Sequence, residues 1–156
     1  MRKTLIALTT ALALAGATSA FAKDTYVGGT FGGNISDGIN TDAPWSIGVV
    51  AGKNVASMTG INIGVEGTFD YSKSEEKNIA LNVVPSVTIN SFTPYVLAGV
   101  GYRWALEGDV KTYNVGGGIR YGITESVDLD VRYRYVNDWD GNTPRDVATV
   151  GINFKF

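Results

Sequence analysis

Ten residues, VATVGINFKF at 147–156, constrain this chain most. Ala148, Val150, Ile152, Phe154 and Phe156 take every second position, and Thr149, Gly151, Asn153 and Lys155 fill the gaps. A side-chain period of two belongs to a β-strand with one apolar and one polar face, and no helix produces it. The same alternation recurs upstream, so the fold turns on how many such strands there are and what covers their apolar side.

Eight strands follow from the pattern, at 24–33, 45–53, 59–71, 78–88, 94–106, 113–123, 127–136 and 147–156. The clearest is the third, where Ile61, Ile63, Val65, Gly67, Phe69 and Tyr71 oppose Asn62, Gly64, Glu66, Thr68 and Asp70. Pro85 interrupts the fourth; without an N–H it belongs near a strand end or a bulge. Each strand carries roughly ten paired residues, enough to cross an apolar band about 25 Å tall at about 3.3 Å per residue and about 40° of tilt. The connections alternate long and short, as in an up-and-down meander. Loops at 34–44, 72–77, 107–111 and 137–146 then face outward, and both termini with the turns near Asn54, Ser91 and Glu125 face the periplasm.

Alternation does not say which face is inside; volume does. An eight-stranded interior is only just wide enough for side chains to fill it, yet the apolar faces carry about thirty mostly large side chains. The opposite face holds eleven glycines among Asn, Thr, Glu, Asp and Arg, which suits a narrow lumen. The apolar side is therefore outermost, and an apolar outside needs a bilayer. Phe31, Trp45, Phe69, Tyr71, Tyr102, Trp104, Tyr113, Tyr133 and Tyr135 fall toward the loop ends of outward faces, with Phe154 and Phe156 at the opposite rim. That reads as two aromatic girdles at headgroup depth rather than the ring cluster of an ordinary sheet core. The expected fold is all-β, an eight-stranded antiparallel up-and-down transmembrane β-barrel preceded by a cleavable signal peptide.

The signal is read at 1–22: Arg2 and Lys3, an apolar run through Leu5, Ile6, Ala7, Leu8, Leu12 and Leu14, then Ala20-Phe21-Ala22 before a cut at Lys23. The run is short for a transmembrane anchor and is broken by Thr9, Thr10, Gly16 and Thr18. One domain, 23–156, remains. Without Arg2 and Lys3 it has 11 bases against 15 acids, a net charge of −4, which gives no reason to expect nucleic acid as a partner. With no cysteine there is neither a disulfide framework nor a thiolate metal site.

Three stretches carry a family resemblance: PYVLAGVGYRW (94–104), NVGGGIRYGITESVDLDVRYRYV (114–136) and the Phe-terminated last strand. They resemble the small eight-stranded barrels of the OmpA transmembrane-domain type, the outer-membrane β-barrel or porin-family proteins, across 23–156. The resemblance implies a monomer in the bacterial outer membrane, in contact with outer-membrane lipid and lipopolysaccharide and needing no cofactor. It also implies a C-terminal assembly signal at Ile152, Phe154 and Phe156, read by the barrel-assembly machinery during biogenesis. No peptidoglycan-binding domain is expected after the barrel, and the outer loops are short for an adhesin.

Inward charges are Glu66, Asp70, Arg103, Arg120, Asp128, Asp130, Arg132, Arg134 and Lys155. In a narrow lumen they must be paired or hydrated. Glu66 and Asp128 or Asp130 are expected to bridge to Arg103, Arg120 and Arg132, with Lys155 near the periplasmic mouth, and in the family such a network commonly plugs the barrel. An enzyme is not expected: with no histidine, neither a Ser-His-Asp triad nor the His-Ser pair of barrel lipid A deacylases can be assembled. Asp128 and Asp130 share a face as a carboxylate pair would, but Arg132 and Arg134 beside them favour ion pairing. Asp138, Asp140 and Asn142 open like a calcium loop, yet Thr143 stands where glycine is required and Thr149 at the twelfth position, so a solvated acidic loop is expected and no metal site. Two readings remain: a structural or surface-interaction barrel with a plugged lumen, and a narrow passive pore for ions or small solutes.

Overall fold

The computed structural model describes residues 24–36, 45–73, 75–105, 108–141 and 144–156. The signal peptide expected at 1–22 lies outside the described residues, as do parts of the connections at 34–44, 72–77, 107–111 and 137–146. Eight strands follow in chain order: β1 (Thr25–Asn34), β2 (Trp45–Met58), β3 (Ile61–Ser72), β4 (Lys77–Val87), β5 (Phe92–Ala105), β6 (Gly108–Gly122), β7 (Val127–Asp138) and β8 (Arg145–Lys155). Each pairs antiparallel with the next, and β8 returns to β1, so the sheet closes and has no edge.

The stagger of that closure can be read from the pairing. From Tyr26, successive partners are Gly52, Glu66, Asn82, Gly99, Asn114, Val136 and Arg145. Tyr26 pairs directly with Lys155, ten residues beyond Arg145 on the same strand. A stagger of ten over eight strands tilts them by about 40° and makes each residue climb about 2.5 Å along the axis. The barrel thus has a rim carrying Asp24 and Phe156, the first and last described residues, here the terminal rim, and an opposite loop rim.

Burial is inverted relative to a water-soluble domain. Val131 and Ile152 are 56 % and 46 % exposed, whereas Glu66 is 0 % exposed and Asp130, Arg132, Asn82 and Asn153 are buried. Apolar atoms gathered on the outside of a closed sheet have no hydrophobic partner within the chain, so the solvent around them must itself be apolar.

Four expectations are corrected by the strand ends. β2 runs on to Met58, because a bulge between Asn54 and Ala56 inserts one residue and shifts the alternation; the turn is Thr59-Gly60 rather than near Asn54. Both turn residues have positive φ, 47° and 85°, as a two-residue hairpin requires. Residues 108–111, expected in a loop, belong to β6, which pairs with β5 as far as Ala105–Gly108. β7 continues to Asp138, so the acidic loop starts later than expected. β5 begins at Phe92, whose ring meets Tyr121 at 4.9 Å on the terminal rim. Pro85 stands two residues from the end of β4, and the β4–β5 ladder lapses between Val83–Ala98 and Ser86–Tyr95.

Taking Tyr26 as zero height, Trp45, Tyr71, Tyr102, Trp104, Tyr113 and Tyr135 stand about 16–25 Å up, and Phe92, Tyr121, Phe154 and Phe156 about 1–6 Å down. The two rings of aromatics are thus about one hydrocarbon thickness apart. Phe31, Phe69 and Tyr133 sit deeper than the sequence suggested, at about 11–14 Å, because their strands continue three to five residues beyond them. Tyr133 still reaches the loop rim through its hydroxyl, which donates to Asp146.

Candidate functional site in the barrel lumen

All nine charges assigned to the inner face lie on lumen-facing positions, and they form three groups stacked along the axis. At the terminal mouth, Lys155 Nζ donates to Asp128 Oδ1 at 2.7 Å. Above it, Glu66, Arg120, Asp130 and Arg132 form one network with Tyr26 and Tyr95. Near the loop rim Arg134 pairs with Asp70, Arg103 with Asp138 and Arg145 with Glu76.

Glu66 is the hub of the middle group. Its Oε1 accepts from Arg132 Nη1 at 2.6 Å; its Oε2 accepts from Arg132 Nη2 at 2.9 Å, from Tyr26 Oη at 2.7 Å and from Arg120 Nη2 at 3.3 Å. Each tyrosine joins a guanidinium to a carboxylate. Tyr26 Oη accepts from Arg120 Nη2 at 2.7 Å while donating to Glu66, and Tyr95 Oη accepts from Arg132 Nε at 2.8 Å while donating to Asp130 Oδ1 at 2.7 Å. Arg132 Nη2 also reaches Asp130 Oδ2 at 2.9 Å. Two guanidiniums face two carboxylates, so the group is neutral, and hydrogen bonds offset the desolvation of each charge.

Ring positions are set by glycine. The Arg120 guanidinium carbon lies 4.2 Å from the Tyr26 ring centroid and 4.6 Å from that of Tyr95, between two π faces. Tyr26 pairs across the sheet with Gly52 and Tyr95 with Gly118. A Cβ on Gly52 would stand 2.3 Å from Tyr26 Cζ, and one on Gly118 2.6 Å from Tyr95 Oη. The missing side chains are the seats on which both rings lie.

Partners differ from expectation in two respects. Arg103 was expected to bridge to Glu66, Asp128 or Asp130; those carboxylates lie deeper in the lumen, and Arg103 Nη2 meets Asp138 Oδ1 at 2.6 Å instead. Asp138 itself, assigned to a solvated loop, is a buried lumen residue because β7 extends to include it. The structure adds Tyr26, Tyr95, Glu76 and Arg145 to the site, none of which the alternation marks as functional. Arg145 Nη2 donates to Glu76 Oε1 at 2.7 Å, and a second contact joins Nη1 to Oε2. This hydrogen-bonded guanidinium holds the Glu76 carboxyl below the usual carboxylate range.

A cavity of about 80 Å³ opens at the loop rim, walled in part by Asp70, Ser72, Glu76, Asn78, Arg134 and Arg145. Ile152, Phe154 and Phe156 are exposed on the outer surface. The metal site at Asp138, Asp140 and Asn142 that the sequence discounted has Asn142 outside the described residues.

A closed antiparallel barrel with a charged lumen, an apolar wall and aromatic rims is a transmembrane β-barrel of the bacterial outer membrane. The chain belongs to the outer membrane protein β-barrel domain family, whose pattern it matches over residues 4–156. Solved structures show the same fold. The N-terminal β-barrel domain of Pseudomonas aeruginosa OprF is similar over 87 % of this chain and 100 % of its own, at 14 % identity and a TM-score of 0.63. Neisserial surface protein A is similar over 85 % and 97 %, at 20 % identity and a TM-score of 0.57. The outer membrane enzyme PagL is similar over 84 % and 99 %, at 10 % identity and a TM-score of 0.60. Comparison with curated proteins gives no match.

Proposed function

We propose that this barrel has a structural or surface-interaction role and that its lumen is plugged by the network centred on Glu66. The observation that carries the reading is the connectivity of Glu66: one fully buried carboxylate on β3 binds side chains from β1, β6 and β7, so the bonds span the lumen rather than line it. An ion passing along the axis would have to break several charge-assisted hydrogen bonds at once.

The loop rim faces outward, its aromatic ring meets lipopolysaccharide, and the barrel is a monomer. Ile152, Phe154 and Phe156 present the apolar edge that the assembly machinery reads before β8 closes on β1. PagL is described as an enzyme, but at 10 % identity that similarity speaks for fold, and this chain has no histidine to serve as a catalytic base. The competing reading is a narrow pore, and reconstitution in a planar bilayer separates the two. A plugged barrel leaves the bilayer without steady discrete conductance; conductance steps that change with Glu66→Gln or Arg103→Ala would overturn the plug.

A further inference from the structure

The cavity at the loop rim has room for several waters or for one tetrahedral oxyanion. Its walls are already internally paired: Asp70 accepts from Arg134 Nη2 at 3.0 Å and Glu76 from Arg145. What those pairs leave over is mainly donors. Nε and Nη1 of Arg134, Oγ of Ser72 and Oδ1 of Asn78 are buried without a protein partner among the described residues. Arg134 is 3 % exposed, so its spare N–H groups have left bulk water. A guanidinium keeps its charge and has no acceptor of its own, so these donors need an acceptor-rich partner. The Asn78 amide can turn to offer its NH₂ instead of its oxygen.

We propose that this cavity is a binding site for a single oxyanion of the phosphate or sulfate class. Arg134 Nε and Nη1 supply charge-assisted donors, and Ser72 and Asn78 complete the set. Three guanidiniums, Arg103, Arg134 and Arg145, line the cavity against two carboxylates, Asp70 and Glu76, so its walls carry a net positive charge that adds to the short-range hydrogen bonding. The Asp70 and Glu76 carboxylates limit the occupant to one group. The proposal rests on the lumen being closed beneath the cavity, which makes the cavity a blind pocket and not a stage of a conduction path.

The test uses folded barrel in detergent, its folding verified by the gel-mobility change on boiling. One arm titrates inorganic phosphate by calorimetry and phosphorus NMR, and the other titrates glucosamine 1-phosphate, which presents the same group on a sugar. Saturable binding of one phosphate per barrel is expected, weakened about tenfold or more in Arg134→Lys, which keeps a cation opposite Asp70 but removes the planar donors. Asn78→Leu, which fills the cavity without touching an ion pair, is expected to abolish it, and Lys155→Gln at the far mouth to leave it unchanged. Stronger binding in the sugar arm supports the site and assigns it a glycan end; stronger binding of free phosphate supports it and assigns it a soluble ion. Absence of saturable binding, or binding unmoved by both Arg134→Lys and Asn78→Leu, overturns the proposal. The titration involves no ion flux, so a closed barrel that binds nothing sinks the site alone, and a conducting barrel sinks the plug alone.

Discussion

Arginines and carboxylates occur in both the middle of this lumen and its loop-rim mouth, yet they are used differently. In the middle, Glu66 takes hydrogen bonds from three side chains, and two tyrosines knit the guanidiniums to Glu66 and Asp130. At the mouth, three pairs stand side by side around a cavity, and Arg134 keeps N–H groups in reserve. The difference teaches that sign and number of charges do not decide whether a lumen is shut. Connectivity does: a shared hub closes space, and separate pairs leave it open.

Removing the hub should break that contrast most severely. Glu66→Leu leaves Arg120 and Arg132 buried around an apolar side chain, and loss of one partner from a buried ionic group costs roughly 3–5 kcal/mol. The urea midpoint of the folded barrel in lipid vesicles should fall accordingly; a change below about 1 kcal/mol would show that water had been satisfying those guanidiniums all along.

Next in size is a guanidinium on the wrong side of the same strand. Val131 adjoins Arg132 in β7 but faces outward near the middle of the apolar band. Val131→Arg should cost roughly 2–4 kcal/mol in the same assay, with the penalty shrinking for the same substitution nearer either rim. An equal cost at all depths would contradict a bilayer around the barrel.

A finer cut separates the tyrosines from the ionic hub. Tyr26→Phe keeps the ring over Gly52 and beneath Arg120 but deletes the hydroxyl between Arg120 and Glu66. Hydrogen bonds to charged groups set the expected loss at roughly 1.5–3 kcal/mol. If Tyr26→Phe matched the wild type while Glu66→Leu collapsed, the tyrosines would be packing and not connectors.

How much of this was legible beforehand follows the physics of each feature. Strand number, closure and the inside-outside assignment rest on alternation and volume, and both act at every residue. The Thr59-Gly60 turn was not legible because a one-residue bulge flips the parity of Val55 to Met58 and mimics the end of a strand. The start of β6 was hidden because Asp109 and Lys111, paired across the sheet with Trp104 and Tyr102, stand at the upper edge of the loop-rim aromatic ring, where an outward side chain reaches polar surroundings and need not be apolar. All nine inward charges could be listed from parity, and Glu66 meets Arg120 and Arg132, and Asp130 meets Arg132, as the sequence leads one to expect; the Asp138 partner of Arg103 was hidden, since pairing depends on height along a tilted barrel. Tyr26 lies in phase with the inward glycines of its own strand. Its role becomes visible only once the register sets it against Gly52 and brings Arg120 beneath its ring.

The smallest effect lies at the mouth, in the Glu76–Arg145 pair. Both side chains retain some exposure, 16 % for Glu76 and 30 % for Arg145, so solvent screening limits the pair to under about 1 kcal/mol. Arg145 holds the Glu76 carboxyl below the usual range, and a lowered acid favours the folded state when ionised. That contribution is complete above the ordinary carboxylate range and disappears as pH falls through the lowered value. Glu76→Gln should therefore be slightly less stable than the wild type at neutral pH, and the two urea midpoints should converge on acidification. Divergence at low pH would mean that the carboxyl is held by something other than Arg145. The Glu66→Leu deficit should dwarf this difference at neutral pH, because a hub loses several partners at once and a rim pair loses one.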